Sequence, residues 1–273
     1  MSILLMPDKF KGSLTADQVI AAIRQGLAVS CPGVETYSVT ASDGGDGFLE
    51  SIVSSQPSVR KRSCQASDPL GRACRVEYGF DDDSRSAFVE MARASGMEML
   101  TVEQRNPMKA STIGTGQVIA RAAEHDAEKI FVGLGGSATN DVAMGIAHAI
   151  GYRFIDSRGI ELFPCGESLE KVDSIRRDGV ANWLDRVAVF AINDVHYPLL
   201  GSEGAAAVYA PQKGADPAMV RRLEQGMSHF DSIVQRDLGV SVADVPGAGA
   251  AGGGGLFLHL FVLGPVHIEL VIA

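Results

Sequence analysis

Acidic side chains follow short apolar segments at several points of the chain, and lysines lie close to two such segments. Asp43 and Asp46 flank a pair of glycines, Asp141 follows a glycine-rich turn, and Asp194 follows the apolar run 187–192. Carboxylates can face a bound cation, while lysines and glycine turns can contact phosphate oxygens. Phosphoryl transfer needs these groups and little covalent help from the protein. The residues therefore favour phosphoryl transfer as the chemistry of this chain.

Two loops supply the lysines. Asp8, Lys9 and Lys11 lie between the apolar segment 2–6 and a predicted helix, and Lys213 lies in the second loop. Ligands of α/β sheets bind beyond the carboxyl ends of strands, which favours a functional role for the first loop. Lysines in a loop are also typical of a solvated surface, and the sequence leaves both interpretations open.

The pattern of apolar residues and glycines in 129–156 predicts a strand, a loop, a helix and a second strand. The apolar run 130–132 is typical of a strand covered on both faces, and three glycines break it between 133 and 136. We expect residues 137–141 to cap and open the helix that follows, and we expect Gly151 to end it.

A glycine turn that opens a helix presents free N–H groups and the positive end of the helix dipole. Such a turn is a seat for phosphate or carboxylate. Asn140 and Asp141 lie in the expected first turn, and two polar side chains there predict a role beyond capping.

The elements that must position these loops alternate along the chain, which predicts an α/β fold. Residues 59–92 carry turn signals every few residues and predict a small sheet or hairpin insertion, a candidate second lobe. The glycine-rich stretch 246–255 is interpreted either as a loop that wraps a phosphate or as a linker. Other strands are expected at 2–6, 35–40 and 187–192, and helices after Thr15, at 111–123 and at 217–238.

Composition limits the function classes. The chain has 273 residues and a formal net charge of −9, and it contains no lysine- and arginine-rich tract, so nucleic-acid binding is disfavoured. Its four cysteines lie far apart without a CxxC spacing, which indicates reduced thiols and a cytoplasmic protein. Residues 1–6 are too short for a signal peptide, and residues 256–273 are poorly suited to span a membrane. The sequence has no P-loop, and it has neither of the HRD and DFG motifs of protein kinases.

Seven segments carry a resemblance that covers nearly all of residues 1–253. In chain order they are PDKFKGSL at 7–14, SDGGDGF at 42–48, DPLG at 68–71, GGSATND at 135–141, NDVHYPLLG at 193–201, PQKGAD at 211–216 and VPGAGAAGG at 245–253. This set resembles the bacterial glycerate kinase family, of the glycerate 2-kinase type. The resemblance implies ATP-dependent phosphorylation of D-glycerate, with Mg²⁺ and commonly with 2-phosphoglycerate as product, in organic-acid catabolism. It leaves a homodimer open.

Carried over position by position, the resemblance implies roles for individual residues. The implied magnesium ligands are Asp43 and Asp194. The implied catalytic residues are Lys11, Asp43, Asp141 and Asp194. The implied substrate- and nucleotide-binding residues are Asp8, Lys9, Gly44, Gly45, Asp46, Gly135, Gly136, Ser137, Asn140, Lys213, Gly247 and Gly249.

The resemblance also implies a two-domain α/β fold with a mostly parallel, Rossmann-like sheet and a smaller β-rich lobe. We expect residues 1–58 to form the first part of the Rossmann-like domain and residues 59–245 the second lobe. Residues 246–273 are expected to begin the return to the first domain. The family continues with further strands and helices where this sequence reaches Ala273. We therefore expect this chain to lack the family's C-terminal part, to be less stable than a full-length relative and to have little or no kinase activity.

Two alternatives stay open at this point. Residues 133–138 satisfy G-x-G-x-x-A between a strand and a helix, and Asp156 follows the next predicted strand, a spacing that indicates a nicotinamide-dependent dehydrogenase. The second alternative is a catalytically inactive, truncated remnant of the kinase.

Overall fold

The chain forms an α/β structure. This computed structural model describes residues 2–7, 10, 13–39, 42, 44–241, 243 and 247–260, with side chains described as far as residue 255. Its strands are β1 (Ser2–Leu5), β2 (Glu35–Ser38), β3 (Arg60–Ser67), β4 (Ala73–Asp81), β5 (Ser86–Glu90), β6 (Lys129–Gly133), β7 (Arg153–Ile155), β8 (Ser174–Arg176) and β9 (Ala188–Ile192). Its α-helices are α1 (Ala16–Ser30), α2 (Phe48–Ser55), α3 (Ala92–Ser95), α4 (Ile113–Glu124), α5 (Met144–Ala149), α6 (Ala205–Tyr209), α7 (Pro217–Leu238) and α8 (Ala250–Leu260).

The largest sheet has five strands in the order β3–β4–β5–β6–β9. Pairing is antiparallel from β3 to β5 and parallel from β5 through β6 to β9. The register aligns Glu90 with Gly133 and Gly133 with Ile192, which are the last residues of the three parallel strands. The carboxyl ends of these strands therefore form one row along a single edge of the sheet.

One face of the parallel strands is buried, and the other face is partly covered. On one face, residues of β6 and β9 join a large buried cluster with residues of the helices α4, α5 and α7: Ile130, Val132, Val189, Ile119, Ile146 and Phe230. On the other face, the rings of Phe88, Phe131 and Phe190 stack with centroid distances of 5.3 and 4.9 Å. Phe48 of α2 packs in the same cluster as Phe88. Such cover is what parallel strands require, because apolar side chains emerge on both faces.

The strands β1 and β2 form a separate parallel pair, with Leu4 opposite Tyr37. Helix α1 begins at the predicted capping box, since Thr15 and Gln18 exchange side-chain and backbone hydrogen bonds. In this pair Leu4 is 57% exposed and Tyr37 is 55% exposed. The domain boundaries at residues 58 and 245 stay a prediction.

The segment 59–92 forms the expected hairpins, but these do not make a sheet of their own. Strand β5 pairs with β6, so the hairpins extend the sheet that contains the glycine-rich turn. Strand β7 pairs antiparallel with β8, whereas β6 has β5 and β9 as its neighbours. A dinucleotide fold requires the strand that carries the ribose-binding acid to lie parallel and next to the first strand. Asp156 instead accepts the backbone N–H groups of Arg158 and Ile160 in a turn. The topology thus contradicts the dehydrogenase alternative.

The helix after the glycine-rich turn begins later than the sequence indicates. Helix α5 starts at Met144, and residues 137–141 form part of a loop rather than the helix cap. Val142 and Ala143 both have φ of +54°, in the left-handed region that side chains disfavour, and this interrupts any helix before Met144. Gly151 follows the end of the helix with φ of +109°, as predicted.

Within the part of the chain that the structure describes, no helix combines the length and the apolar character needed to cross a bilayer.

Candidate active site

Two loops meet at the carboxyl ends of the parallel strands: the 44–47 turn and the GGSATND loop (residues 135–141). The N–H of Gly135 donates to the carbonyl oxygen of Gly44 at 3.0 Å. A Cβ atom on Gly44 would lie 2.2 Å from the carbonyl oxygen of Ile192, at the end of β9. Gly44 also has φ of +82°, so both space and backbone conformation require glycine there. The structure therefore brings these two loops and the end of β9, which precedes Asp194, together at one edge.

Asp46 lies directly over the GGSATND loop. A Cβ atom on Gly136 would lie 2.2 Å from Oδ1 of Asp46, and Gly136 has φ of +71°. The absence of a side chain at Gly136 therefore allows the carboxylate to approach the loop backbone. Gly45 is equally close to the loop, because a Cβ atom on Gly135 would lie 2.3 Å from the Cα atom of Gly45.

Lys213 holds the middle of the GGSATND loop through two hydrogen bonds. It lies in a single 3-10 turn, Pro211–Lys213, and its side chain is 2% exposed. Its Nζ donates to Oγ of Ser137 at 2.9 Å and to the carbonyl oxygen of Thr139 at 2.6 Å. Burial lowers the pKa of Lys213 to about 7, and the nearby Asp141 opposes that change. The ammonium group thus contacts the loop itself.

Asp141 is fully buried at the end of the loop. Its Oδ2 accepts hydrogen bonds from the N–H of Thr112 at 2.8 Å, from Oγ1 of Thr112 at 2.8 Å and from the N–H of Gly145 at 3.2 Å. Burial raises the pKa of Asp141 to about 6, and the bonds from Thr112 oppose the rise. Asp141 therefore ties the loop to the start of α4 and to α5.

Residues 247–255 contact the other side of the same loop. The N–H of Val142 donates to the carbonyl oxygen of Gly252 at 3.2 Å. The N–H of Gly249 donates to the carbonyl oxygen of Tyr197 at 3.0 Å, and Gly247 is buried beside it. The interpretation of 246–255 as a linker is wrong for the described part, because its glycines are needed for close packing. A Cβ atom on Gly252 would lie 2.1 Å from the carbonyl oxygen of Thr139.

Asn140 is also fully buried, and its Nδ2 donates weakly to the carbonyl oxygen of Ala205 at 3.4 Å. Several buried polar atoms of these loops have no hydrogen-bond partner among the described residues: Thr139 Oγ1, Asn140 Oδ1, Asp141 Oδ1 and Asn193 Nδ2. Buried polar atoms are nearly always satisfied in folded proteins. Four of the eight such atoms among the described residues lie in these loops, which makes them available to a ligand.

Asp194 differs from Asp141 because it is exposed. It follows the end of β9, where Asn193 accepts the N–H of Val195 at 3.1 Å and orders the turn. Among the described residues, no group of three His, Cys, Asp or Glu side chains could hold a metal ion. Asp194 therefore stands at the loop edge as an accessible carboxylate, and the half-buried Asp46 lies over the same loop.

Four of the predicted site residues lie outside the described residues: Asp8, Lys9, Lys11 and Asp43. Two residues at the site were missed by the sequence analysis. Thr112, which holds Asp141, gives no sequence signal. Glu90 is an acid at the end of an apolar strand, the same signal that identified Asp194.

Comparisons with known proteins agree with this architecture. The family model described as "Glycerate kinase family" matches residues 3–271. A glycerate kinase of Halalkalibacterium halodurans is 40% identical over 96% of this chain and 68% of its own length. A glycerate 2-kinase of Escherichia coli K12 is 38% identical with the same coverage. A crystal structure from Salmonella typhimurium LT2, provisionally assigned as glycerate kinase 2, matches with a TM-score of 0.86 and 39% identity over all of this chain and 72% of that one. The chain belongs to the glycerate kinase family.

Proposed function

We propose that this chain transfers the γ-phosphoryl group of ATP to D-glycerate and forms 2-phosphoglycerate. The observation that carries the proposal is the meeting of the 44–47 turn, the GGSATND loop and the end of β9 along one edge of the sheet. Sites at the carboxyl ends of parallel strands are where α/β proteins bind their ligands. The relatives named as glycerate kinases support the choice of substrate. We place the reaction in organic-acid catabolism in the cytoplasm.

The fixed loop explains how the chain could orient its substrates. Phosphoryl transfer depends on positioning and on electrostatic stabilisation more than on covalent chemistry. Lys213 bonds to the GGSATND loop at Ser137, and Asp141 bonds the end of the loop to Thr112. The backbone N–H groups of the loop therefore keep a fixed direction. We propose that Gly136 and Asn140 bind the carboxylate of glycerate or a phosphate of ATP, with Lys11 as the cationic partner. Gly135, whose N–H donates to Gly44, is proposed to shape this binding site by close packing. Asp8, Lys9, Gly247 and Gly249 are proposed to complete the binding site.

We assign the two buried ionisable groups, Asp141 and Lys213, the role of holding the loop in place. Asp141 directs one carboxylate oxygen at three donors and is closed off from solvent, which suits an anchor better than a general base. We therefore propose that Asp43 or Asp194 accepts the proton of the attacking hydroxyl group. Lys213 acts on the substrates through Ser137 and Thr139.

The residues fit a magnesium ion. Mg²⁺ keeps several water ligands and takes only one or two protein carboxylates, so a single exposed acid at a strand end suffices as a starting ligand. Gly44, the chain neighbour of Asp43, touches the end of β9 two residues before Asp194. We propose that Asp43 and Asp194 hold Mg²⁺, directly or through water. When bound, Mg²⁺ would neutralise the charge of the phosphate oxygens.

The test is incubation of the chain with ATP, MgCl₂ and D-glycerate, with phosphorus NMR to identify the product. We expect a 2-phosphoglycerate signal that requires all three components. A 3-phosphoglycerate signal would keep the kinase and change the acceptor hydroxyl group. ATP hydrolysis without a phosphoglycerate signal would overturn the proposal. Sedimentation velocity on the same sample checks the homodimer, which stays a prediction.

Asp194→Asn tests the metal assignment. The substitution keeps the size of the side chain and removes its charge, so we expect the half-saturating Mg²⁺ concentration to rise by about tenfold or more. The melting temperature should stay unchanged, because Asp194 is exposed. A wild-type magnesium titration in this variant would remove Asp194 from the metal site.

A further inference from the structure

Glu90 is a buried carboxylate at the edge of the sheet where the loops meet. It is the last residue of β5 and is 4% exposed. Residues 88 and 90 share one face of the strand, and Phe88 packs against Phe48 of α2 on that face. Glu90 therefore extends toward the first turn of α2, which directly follows the 44–47 turn.

Its two carboxylate oxygens both accept backbone N–H groups at the start of that helix. Oε1 accepts the N–H of Gly47 at 2.9 Å, and Oε2 accepts the N–H of Leu49 at 2.9 Å. Gly47 is the cap residue of α2, has no side chain, and so provides no cap of its own. Free N–H groups at a helix start need an acceptor, and here the acceptor comes from another strand.

Arg93 holds Glu90 in place. Its Nε donates to Oε2 of Glu90 at 3.2 Å, and its other nitrogens donate to Glu50 at 2.8 Å and to Glu77 at 3.2 Å. Charge-assisted bonds of this kind fix direction as well as distance. The carboxylate is thus held from one side by Arg93 and bound to the backbone of α2 on the other.

We propose that Glu90 is a positioning residue for phosphoryl transfer, which sets the 44–47 turn against the GGSATND loop. This inference rests on the proposed function. The turn contacts the loop at Gly44 and Asp46 and contacts the end of β9 at Gly44, so a shift at Gly47 moves the backbone that packs against both. Displacement of reacting groups by about 1 Å can lower a rate about 100-fold.

Glu90→Gln is the test variant. Glutamine has one acceptor oxygen, and its amide N–H would face one of the two N–H groups of α2, so at least one cap bond is lost. We expect kcat to fall by about tenfold or more, with KM for ATP and for D-glycerate within about threefold of wild type. Hydrogen exchange at the amides of Gly47 and Leu49 should accelerate by about tenfold or more.

Glu77→Gln is the matched control. Glu77 also contacts Arg93, but its side chain is about half exposed and the structure gives it no bond to the start of α2 among the described residues. We expect kcat and both exchange rates of this variant to stay within about twofold of wild type.

Two results would overturn the inference. One is wild-type kcat in Glu90→Gln, measured well below its melting temperature. The other is unchanged exchange at Gly47 and Leu49. A wild-type chain that transfers no phosphoryl group to glycerate would refute the proposed function instead, and the two exchange rates would then decide whether Glu90 sets the turn.

Discussion

Two sets of parallel strands in this chain differ in how they are covered. In β5, β6 and β9, Ile130 and Val189 are at most 1% exposed, and stacked rings lie on the opposite face. In β1 and β2, Leu4 and Tyr37 are more than half exposed, although the backbone pairing is equally regular. Regular pairing therefore does not by itself produce a core, because burial of apolar side chains supplies the stabilising free energy. The GGSATND loop and Asp194 both follow the covered strands.

The most direct way to break this comparison is a pair of equivalent truncations. Ile130→Ala removes buried methyl and methylene groups from the centre of β6, and we expect the free energy of unfolding to fall by about 2–5 kcal/mol. Leu4→Ala removes a similar volume from an exposed face of β1, and we expect a loss below about 0.5 kcal/mol. Urea unfolding followed by circular dichroism measures both. Equal losses would show that the two sets of strands contribute alike.

A second variant tests whether the hydrogen bonds that position the GGSATND loop matter for activity separately from the burial of apolar groups. Lys213→Met keeps the buried aliphatic chain but leaves Ser137 Oγ and the carbonyl oxygen of Thr139 without their donor. Two lost hydrogen bonds cost about 2–6 kcal/mol, and removing a charge that burial disfavours returns a similar amount. We therefore expect a small change in stability and a fall in kcat of about 100-fold, because the loop loses its fixed direction.

Steady-state kinetics and thermal unfolding on one preparation of Lys213→Met check this prediction. Lys171→Met is the control, since Lys171 is exposed and should change neither quantity. A variant with normal kcat would show that the loop keeps its position without Lys213.

Much of the covered region could be predicted from the sequence, because its signals are local. Helix α7 has the predicted bounds, with Asp216 as cap, a proline at its first position and Gly239 after its end. Outside the covered region, the capping box at Thr15 in the helix between β1 and β2 is also confirmed. Such motifs need only neighbouring residues, so the sequence reports them directly.

The features that the sequence did not predict depend on contacts between residues far apart in the chain. Val142 and Ala143 adopt left-handed backbone conformations beside a hydrogen bond to Gly252, and no local pattern predicts such a conformation for a β-branched residue. Strand β7 has the same apolar pattern whether it joins β6 or β8. Glu90 carried a signal at the end of a strand, but its partner in α2 lies more than forty residues earlier.

The smallest expected effect is a pH dependence of the free energy of unfolding, which tests the role of the buried groups Lys213 and Asp141. The pKa of Lys213 is about 7 in the folded chain, below its ordinary 10.5. Between these values the unfolded chain binds more protons than the folded chain, so stability rises with pH across this window. Asp141 has a pKa of about 6, above its ordinary 3.8, so its contribution falls as pH rises from about 3.8 to 6.

We expect the difference in unfolding free energy between wild type and Lys213→Met to increase in favour of wild type by about 1–3 kcal/mol from pH 7 to pH 10. Urea unfolding at both pH values measures it. A difference that stays constant would show that Lys213 keeps an ordinary pKa in the folded chain.

The bonds of Lys213 also limit when the site can form during synthesis. Lys213 follows Ser137 by 76 residues, and the bond from Val142 to Gly252 joins residues still farther apart in the chain. Closing such long loops is slow compared with forming a helix or a hairpin. On the ribosome the hairpins of β3 to β5 can therefore fold early. The GGSATND loop can reach its final conformation only after residue 252 has left the exit tunnel.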